Sequence, residues 1–210
     1  MQKVDNFEKF KELMDFSHPN SFYFLQIIQR SKDDNTVTSS NNRYRRVKSY
    51  YISSMEEYDR FIPEIKKFCE NNNARAYIRL SPISFYDVAV NTASEYIRRI
   101  KEKQTFKSCN IYDSCCEKTK TCGNKLWMID LDTNDPFAPN WFVEKLAKLG
   151  IHDHVVTVFP TVNGTHFIMK PFDIRKWDAS DWNIAEIKKN NPITLLYYND
   201  LSCKQESNTI

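Results

Sequence analysis

The run Leu126-Trp127-Met128-Ile129-Asp130-Leu131-Asp132 constrains this chain more than any other stretch. It is apolar, of strand length rather than helix length, and ends in two acids one residue apart, so it reads as a buried strand. Side chains alternate faces along a strand, which puts Asp130 and Asp132 on one face, roughly 7 Å apart along the backbone. Two carboxylates so placed repel one another and cost desolvation unless a cation or basic group neutralises them. Such a pair of oxygen donors suits Mg²⁺ or Mn²⁺. The plainer alternative is a strand that has left the core, its acids opening a loop, since Asp135 and Pro136 follow at once. On the metal reading, Asp130→Asn should relieve repulsion and keep or slightly raise stability.

The rest of the composition narrows the field. A chain of 210 residues holds one α/β (α+β) domain with a small N-terminal appendage and has length enough for a substantial core. Its three glycines fall in neither a G-x-x-x-x-G-K nor a G-x-G-x-x-G pattern, which excludes glycine-rich phosphate loops. A net charge of +3 says little by itself about nucleic acid. No apolar stretch approaches membrane-spanning length, and Met1-Gln2-Lys3-Val4-Asp5 lacks the apolar core of a signal peptide. A soluble, cytoplasmic protein with reduced thiols and no membrane partner is expected.

In chain order, Val4, Phe7, Phe10 and Met14 are spaced for an amphipathic helix over residues 4–16. Residues 21–29 make the first strand, and the polar run 31–42 reads as a mobile loop. Arg43-Tyr44-Arg45-Arg46-Val47-Lys48 could grip phosphates and stack a base, or be no more than a solvated strand edge. Ser54-Met55-Glu56-Glu57 is a capping box that starts a helix running to about residue 70. In the strand over 74–80, Arg75, Tyr77 and Arg79 share a face, useful only if an anion or acid meets them. Phe85, Val88, Thr92, Tyr96, Ile97 and Ile100 make the best helical stripe in the chain.

Cys109, Cys115, Cys116 and Cys122 crowd into the stretch before the acidic strand, but C-x₅-C-C-x₅-C has no C-x-x-C knuckle. Zinc is therefore not expected there, and a reduced loop or an air-formed disulfide describes the cluster better. Beyond the acids come a helix over 139–149 stopped by Gly150, a strand over 154–159, and the hairpin signal Asn163-Gly164. The returning strand carries His166, Ile168 and Lys170 on one face, so His166 and Lys170 make a candidate cradle for phosphate oxygens. A structural strand histidine is the plainer account. Glu186 follows an apolar stretch, and Asp200, past the last strand over 193–198, is its rival as a further carboxylate.

These residues together resemble the three-motif signature of the archaeo-eukaryotic primase (primase-polymerase) superfamily, in the form found in phages and other mobile elements. The first motif is Trp127-Met128-Ile129-Asp130-Leu131-Asp132, and the second is Thr161-Val162-Asn163-Gly164-Thr165-His166, like the T-x-N-G-x-H form of phage-type relatives. The third is Ile184-Ala185-Glu186, with Glu where Asp is commoner. The resemblance covers roughly residues 74–200. It implies an RRM-like, largely antiparallel sheet with flanking helices, with residues 1–73 as an N-terminal α/β unit packed on a catalytic core over 74–202 and a flexible tail at 203–210. It implies a two-metal Mg²⁺ or Mn²⁺ site held by Asp130, Asp132 and Glu186, nucleoside triphosphate contacted by His166, a nucleic-acid template, and a role in DNA replication; Lys170, on the face of His166, and Arg79, on the basic strand face, are expected to join in binding the nucleotide. With no helicase or priming module in view, a helicase or another replication protein is the expected partner.

Three readings follow. One is a metal-dependent nucleotidyltransferase of primase type. Another is an aspartate-nucleophile phosphohydrolase, disfavoured because Thr133-Asn134 follow the acids where that chemistry wants Gly-Thr. The third is a catalytically inactive nucleic-acid- or protein-binding module of viral or mobile-element origin.

Overall fold

Where the spacing of residues 4–16 predicts a helix, the chain opens instead with β1 (Gln2–Asp5) and turns only briefly helical in α1 (Phe7–Lys11). Main-chain pairing with a distant strand satisfies the donors and acceptors of residues 2–5 and overrides the local spacing. The computed structural model describes residues 2–31, 44–133, 135–177, 185–189 and 192–199. The loop expected at 31–42 lies almost wholly outside them, as do Asp200 and the tail. β2 (Ser21–Arg30) and β3 (Tyr44–Ile52) pair antiparallel, and α2 (Met55–Asn71) follows. Ser54 caps the helix as expected, its Oγ accepting from the Glu57 amide at 3.1 Å, while the Glu57 carboxylate reaches one residue further back than a capping box requires and accepts from the Ser53 amide at 2.9 Å. Then come β4 (Arg75–Ile78), the short β5 (Ile83–Ser84), α3 (Phe85–Lys101) and α4 (Ser108–Lys118).

The acidic run is β6 (Trp127–Asp132), followed by α5 (Ala138–Lys148), β7 (Val155–Pro160), β8 (Gly164–Met169), β9 (Ala185–Lys188) and β10 (Ile193–Asn199). Two sheets result, with every neighbouring pair antiparallel. The larger runs β1-β10-β4-β2-β3, with β5 paired to the start of β2; the smaller runs β7-β8-β6-β9. The protein is thus mixed α and β, with antiparallel sheets and flanking helices. The larger sheet draws strands from both sides of the boundary expected at residue 73, because β4 and β10 join β1, β2 and β3 in it. No described helix is long and apolar enough to cross a membrane.

Strand alternation sorts the side chains into three cores. Tyr23, Leu25 and Ile27 of β2 face α1 and α2, in the same cluster as Met128, Phe159 and Ile168 from the smaller sheet. Phe22 and Phe24 point the other way, toward Val88 of α3 and Ile111, Cys115 and Cys116 of α4. Ile129, Leu131 and Phe167 pack on Phe142 and Leu146 of α5. Cys115 and Cys116 are free thiols of this packing, and burial pushes the Cys116 thiol up. The buried Asn6 side chain ties the two sheets together, donating to Pro160 O at 3.0 Å and Thr194 O at 2.9 Å.

Gly164 has a reason that Asn-Gly turn chemistry does not supply. Its φ is not positive; instead, a Cβ there would lie 1.9 Å from the Leu131 carbonyl oxygen. Only glycine lets β8 begin this close to the acid-bearing end of β6.

Candidate active site

The alternation of β6 decides which way its acids face. Trp127, Ile129 and Leu131 belong to the core under α5, so Met128, Asp130 and Asp132 take the opposite face, where Met128 joins the core of the larger sheet. Register then brings partners in. Asp130 lies opposite His166 of β8 on one side and Glu186 of β9 on the other, while Asp132, exposed at the strand end, lies opposite Gly164. The three motifs thus meet in a single cross-strand row.

Asp130 is the centre of that row. His166 Nε2 stands 3.2 Å from Asp130 Oδ1, and Lys188 Nζ stands 2.5 Å from Asp130 Oδ2 and 3.3 Å from Glu186 Oε2. The Asp130 side chain is 13% exposed and that of Glu186 74%, so the row runs from a buried centre to an open edge. Burial pushes the Asp130 carboxyl up, but the imidazole and ammonium hydrogen-bonded to it outweigh burial and hold it at about 2. Burial likewise lowers Lys188, and Asp130, with Glu186 behind it, more than reverses that and raises the ammonium above its ordinary value. His166 is buried, and its Nδ1 has no hydrogen-bond partner among the described residues.

Lys188 is the residue that sequence reasoning missed. Glu186-x-Lys188 puts both side chains on one face of β9, but only the β6–β9 register shows which acid they meet. Lys188 neutralises Asp130, so removal of Asp130 strips two charged or polar neighbours of their partner. The expected gain from relieving acid–acid repulsion is not what this geometry supports.

Two proposed nucleotide contacts lie elsewhere. Lys170 follows the end of β8, roughly 13 Å along the strand from His166. It is exposed and lines a cavity of about 580 Å³ with His18, Lys125 and Leu126 at the other end of the sheet. Arg79 is buried, and its guanidinium donates to the carbonyls of Cys116, Glu117 at 3.2 Å and Thr119 at 3.0 Å. It closes the C-terminal turn of α4, where unpaired carbonyls need donors. Arg46 of the basic run is similarly spent on Asp113 and Glu117, at 2.9 and 2.7 Å.

The donor set of the row is chemically suited to a hard divalent cation through the carboxylates of Asp130, Asp132 and Glu186. Among the described residues, no three His, Cys, Asp or Glu side chains are gathered closely enough to hold one, and Lys188 supplies the positive charge between Asp130 and Glu186. Searches of family models, curated proteins and solved structures return no match for this chain.

Proposed function

We propose that the protein is a metal-dependent nucleotidyltransferase of primase type, acting on nucleoside triphosphates with a nucleic-acid template. The observation that carries this reading is the row His166–Asp130–Glu186, in which three separate sequence motifs come to lie across three adjacent strands. The order of the smaller sheet supports it. β6-α5-β7-β8 followed by β9, with β6 and β8 central, is the strand order that an RRM-like sheet would have. Asp130, Asp132 and Glu186 are the residues that would hold Mg²⁺ or Mn²⁺, and such a metal supplies activation of a 3′-hydroxyl and charge stabilisation on departing pyrophosphate. His166 fixes the orientation of Asp130, a positioning role that its burial between Phe159 and Asp130 on neighbouring strands supports. Lys188, a cation on a flexible stem, would be free to pair with triphosphate oxygens once a metal ion took over the neutralisation of Asp130.

A second reading has its own observation. Lys188 already neutralises Asp130, so the row could serve as a nucleotide- or nucleic-acid-binding surface without catalysis. Incorporation of labelled nucleotide on primed and unprimed templates, with Mg²⁺ or Mn²⁺, separates the two. Catalysis requires incorporation that Asp130→Asn and Glu186→Gln each reduce by about a hundredfold or more. Nucleotide binding without incorporation under any condition leaves the binding module, and release of phosphate from a simple ester would point to the phosphohydrolase instead.

A further inference from the structure

Among the described residues, five of the ten exposed large apolar side chains sit on α3: Phe85, Tyr86, Val90, Ile97 and Ile100. The inward side of this helix is accounted for, since Val88 and Thr92 are buried against the body of the protein. The outward side carries a second stripe, Tyr86, Val90, Ala93, Ile97 and Ile100, at successive intervals of four and three. Tyr86 is 73% exposed, Ile97 55% and Ile100 64%. A four-three spacing is that of one helix packed lengthwise on another. We propose that this stripe is the interface of a homodimer in which α3 lies antiparallel on α3 of a second copy.

The charges beside the stripe select that occupant. Glu95, Arg98, Arg99 and Glu102 pair among themselves, with Arg98 and Arg99 each 2.7 Å from Glu95 and Arg98 2.5 Å from Glu102. Asp87 and Lys101 do not: both are exposed, and neither makes an ion pair among the described residues. At a helical advance of about 100° per residue they flank the same edge of the stripe, near its two ends. A two-fold axis near Ala93 therefore sets Asp87 beside Lys101 of the partner subunit, and Lys101 beside the partner's Asp87. The same axis lays Tyr86 over the partner's Ile100 and Val90 over the partner's Ile97, with the small Ala93 where the helices come closest. A parallel pair would set Asp87 and Lys101 level with their own copies on opposite sides of the seam, so neither would meet an opposite charge, and would align the two helix dipoles unfavourably. One face of a helix about 25 Å long buries on the order of 1,000 Å² in the pair, at the small end of specific interfaces, so the dimer is weak. The interface lies on the α4 side of the larger sheet, away from the Asp130 row.

Sedimentation of the full chain from about 1 to about 200 µM at low salt tests this, the range matching a small interface. Concentration-dependent dimerisation is expected, and Ile97→Glu, at an exposed position that leaves melting unchanged, abolishes it. Asp87→Lys or Lys101→Asp alone replaces two attractions by two repulsions and weakens association about tenfold. Mixing those two single variants, or combining them in one chain, restores it, as only an antiparallel self-pairing demands. A chain that stays monomeric throughout overturns the proposal, as does association indifferent to Ile97→Glu; failure of the charge reversals to rescue one another overturns the antiparallel register.

Discussion

Asp130→Asn removes a charge while nearly preserving shape, and the row around it sets the cost. The folded carboxyl is held at about 2 against an ordinary 3.8, by His166 and Lys188. At about 1.36 kcal/mol per unit, ionised Asp130 contributes about 2 kcal/mol at neutral pH, consistent with a side chain 13% exposed. The sign follows from the depressed value: the stabilisation is complete above the unfolded value near 3.8 and disappears as pH falls through about 2. Asp130→Asn should therefore lower stability by about 2 kcal/mol at pH 7, or roughly 4–8 °C in Tm for a chain of this size. Urea unfolding of both proteins at pH 7, 5, 3 and 2 provides the assay. The gap between them should hold from pH 7 to 5 and close toward pH 2. An Asp130→Asn protein as stable as the parent at pH 7 would show that acid–acid repulsion dominates after all, and would refute the argument from Lys188.

Other outcomes follow from the same geometry. Lys188→Met should let the Asp130 carboxyl rise from about 2 toward the ordinary range, since burial then acts with one opponent fewer; carboxyl NMR titration would detect no movement if Lys188 were incidental. His166→Ala should weaken metal-dependent nucleotide binding by roughly ten- to a hundredfold, because it removes the hydrogen bond to a charged group that orients Asp130, and because His166 is buried it should also lower Tm. Calorimetry on the folded fraction separates the two effects, and unchanged nucleotide affinity there would remove His166 from the proposed site. Gly164→Ala should cost about 2–4 kcal/mol, because its Cβ would meet the Leu131 carbonyl and part β8 from β6; chemical denaturation would show little change if the strands could yield.

Features governed by a local period were legible in the sequence. The face shared by Asp130 and Asp132, the hairpin that carries His166, and the Ser54 cap each depend on neighbours within a few residues. What escaped depended on partners far along the chain. Val4 and Asp5 look like the start of a helix until β10, nearly 200 residues later, offers them a ladder. Lys188 joins the site only through the register of β9 on β6, and Arg79 leaves it because α4 presents carbonyls that no spacing rule foretells. The helical stripe of α3 was visible, but not its division: Val88 and Thr92 turn inward, whereas Ile97 and Ile100 turn to solvent. Gly164 was recognised as a turn residue, although the approach of β6, not the turn, requires it.

The position of β10 has a consequence for how the molecule comes into being. β10 lies between β1 and β4, so β1 finds its neighbour only when β10, nearly 200 residues later, arrives. Until residue 199 has left the ribosome, β1 has no ladder to join and β4 presents one open edge, beside a core that still lacks Leu195 and Leu196. The larger sheet therefore cannot close before β10 has been made. Its rate is limited by a contact of near-maximal sequence separation, with an unpaired edge exposed to other nascent chains in the interval.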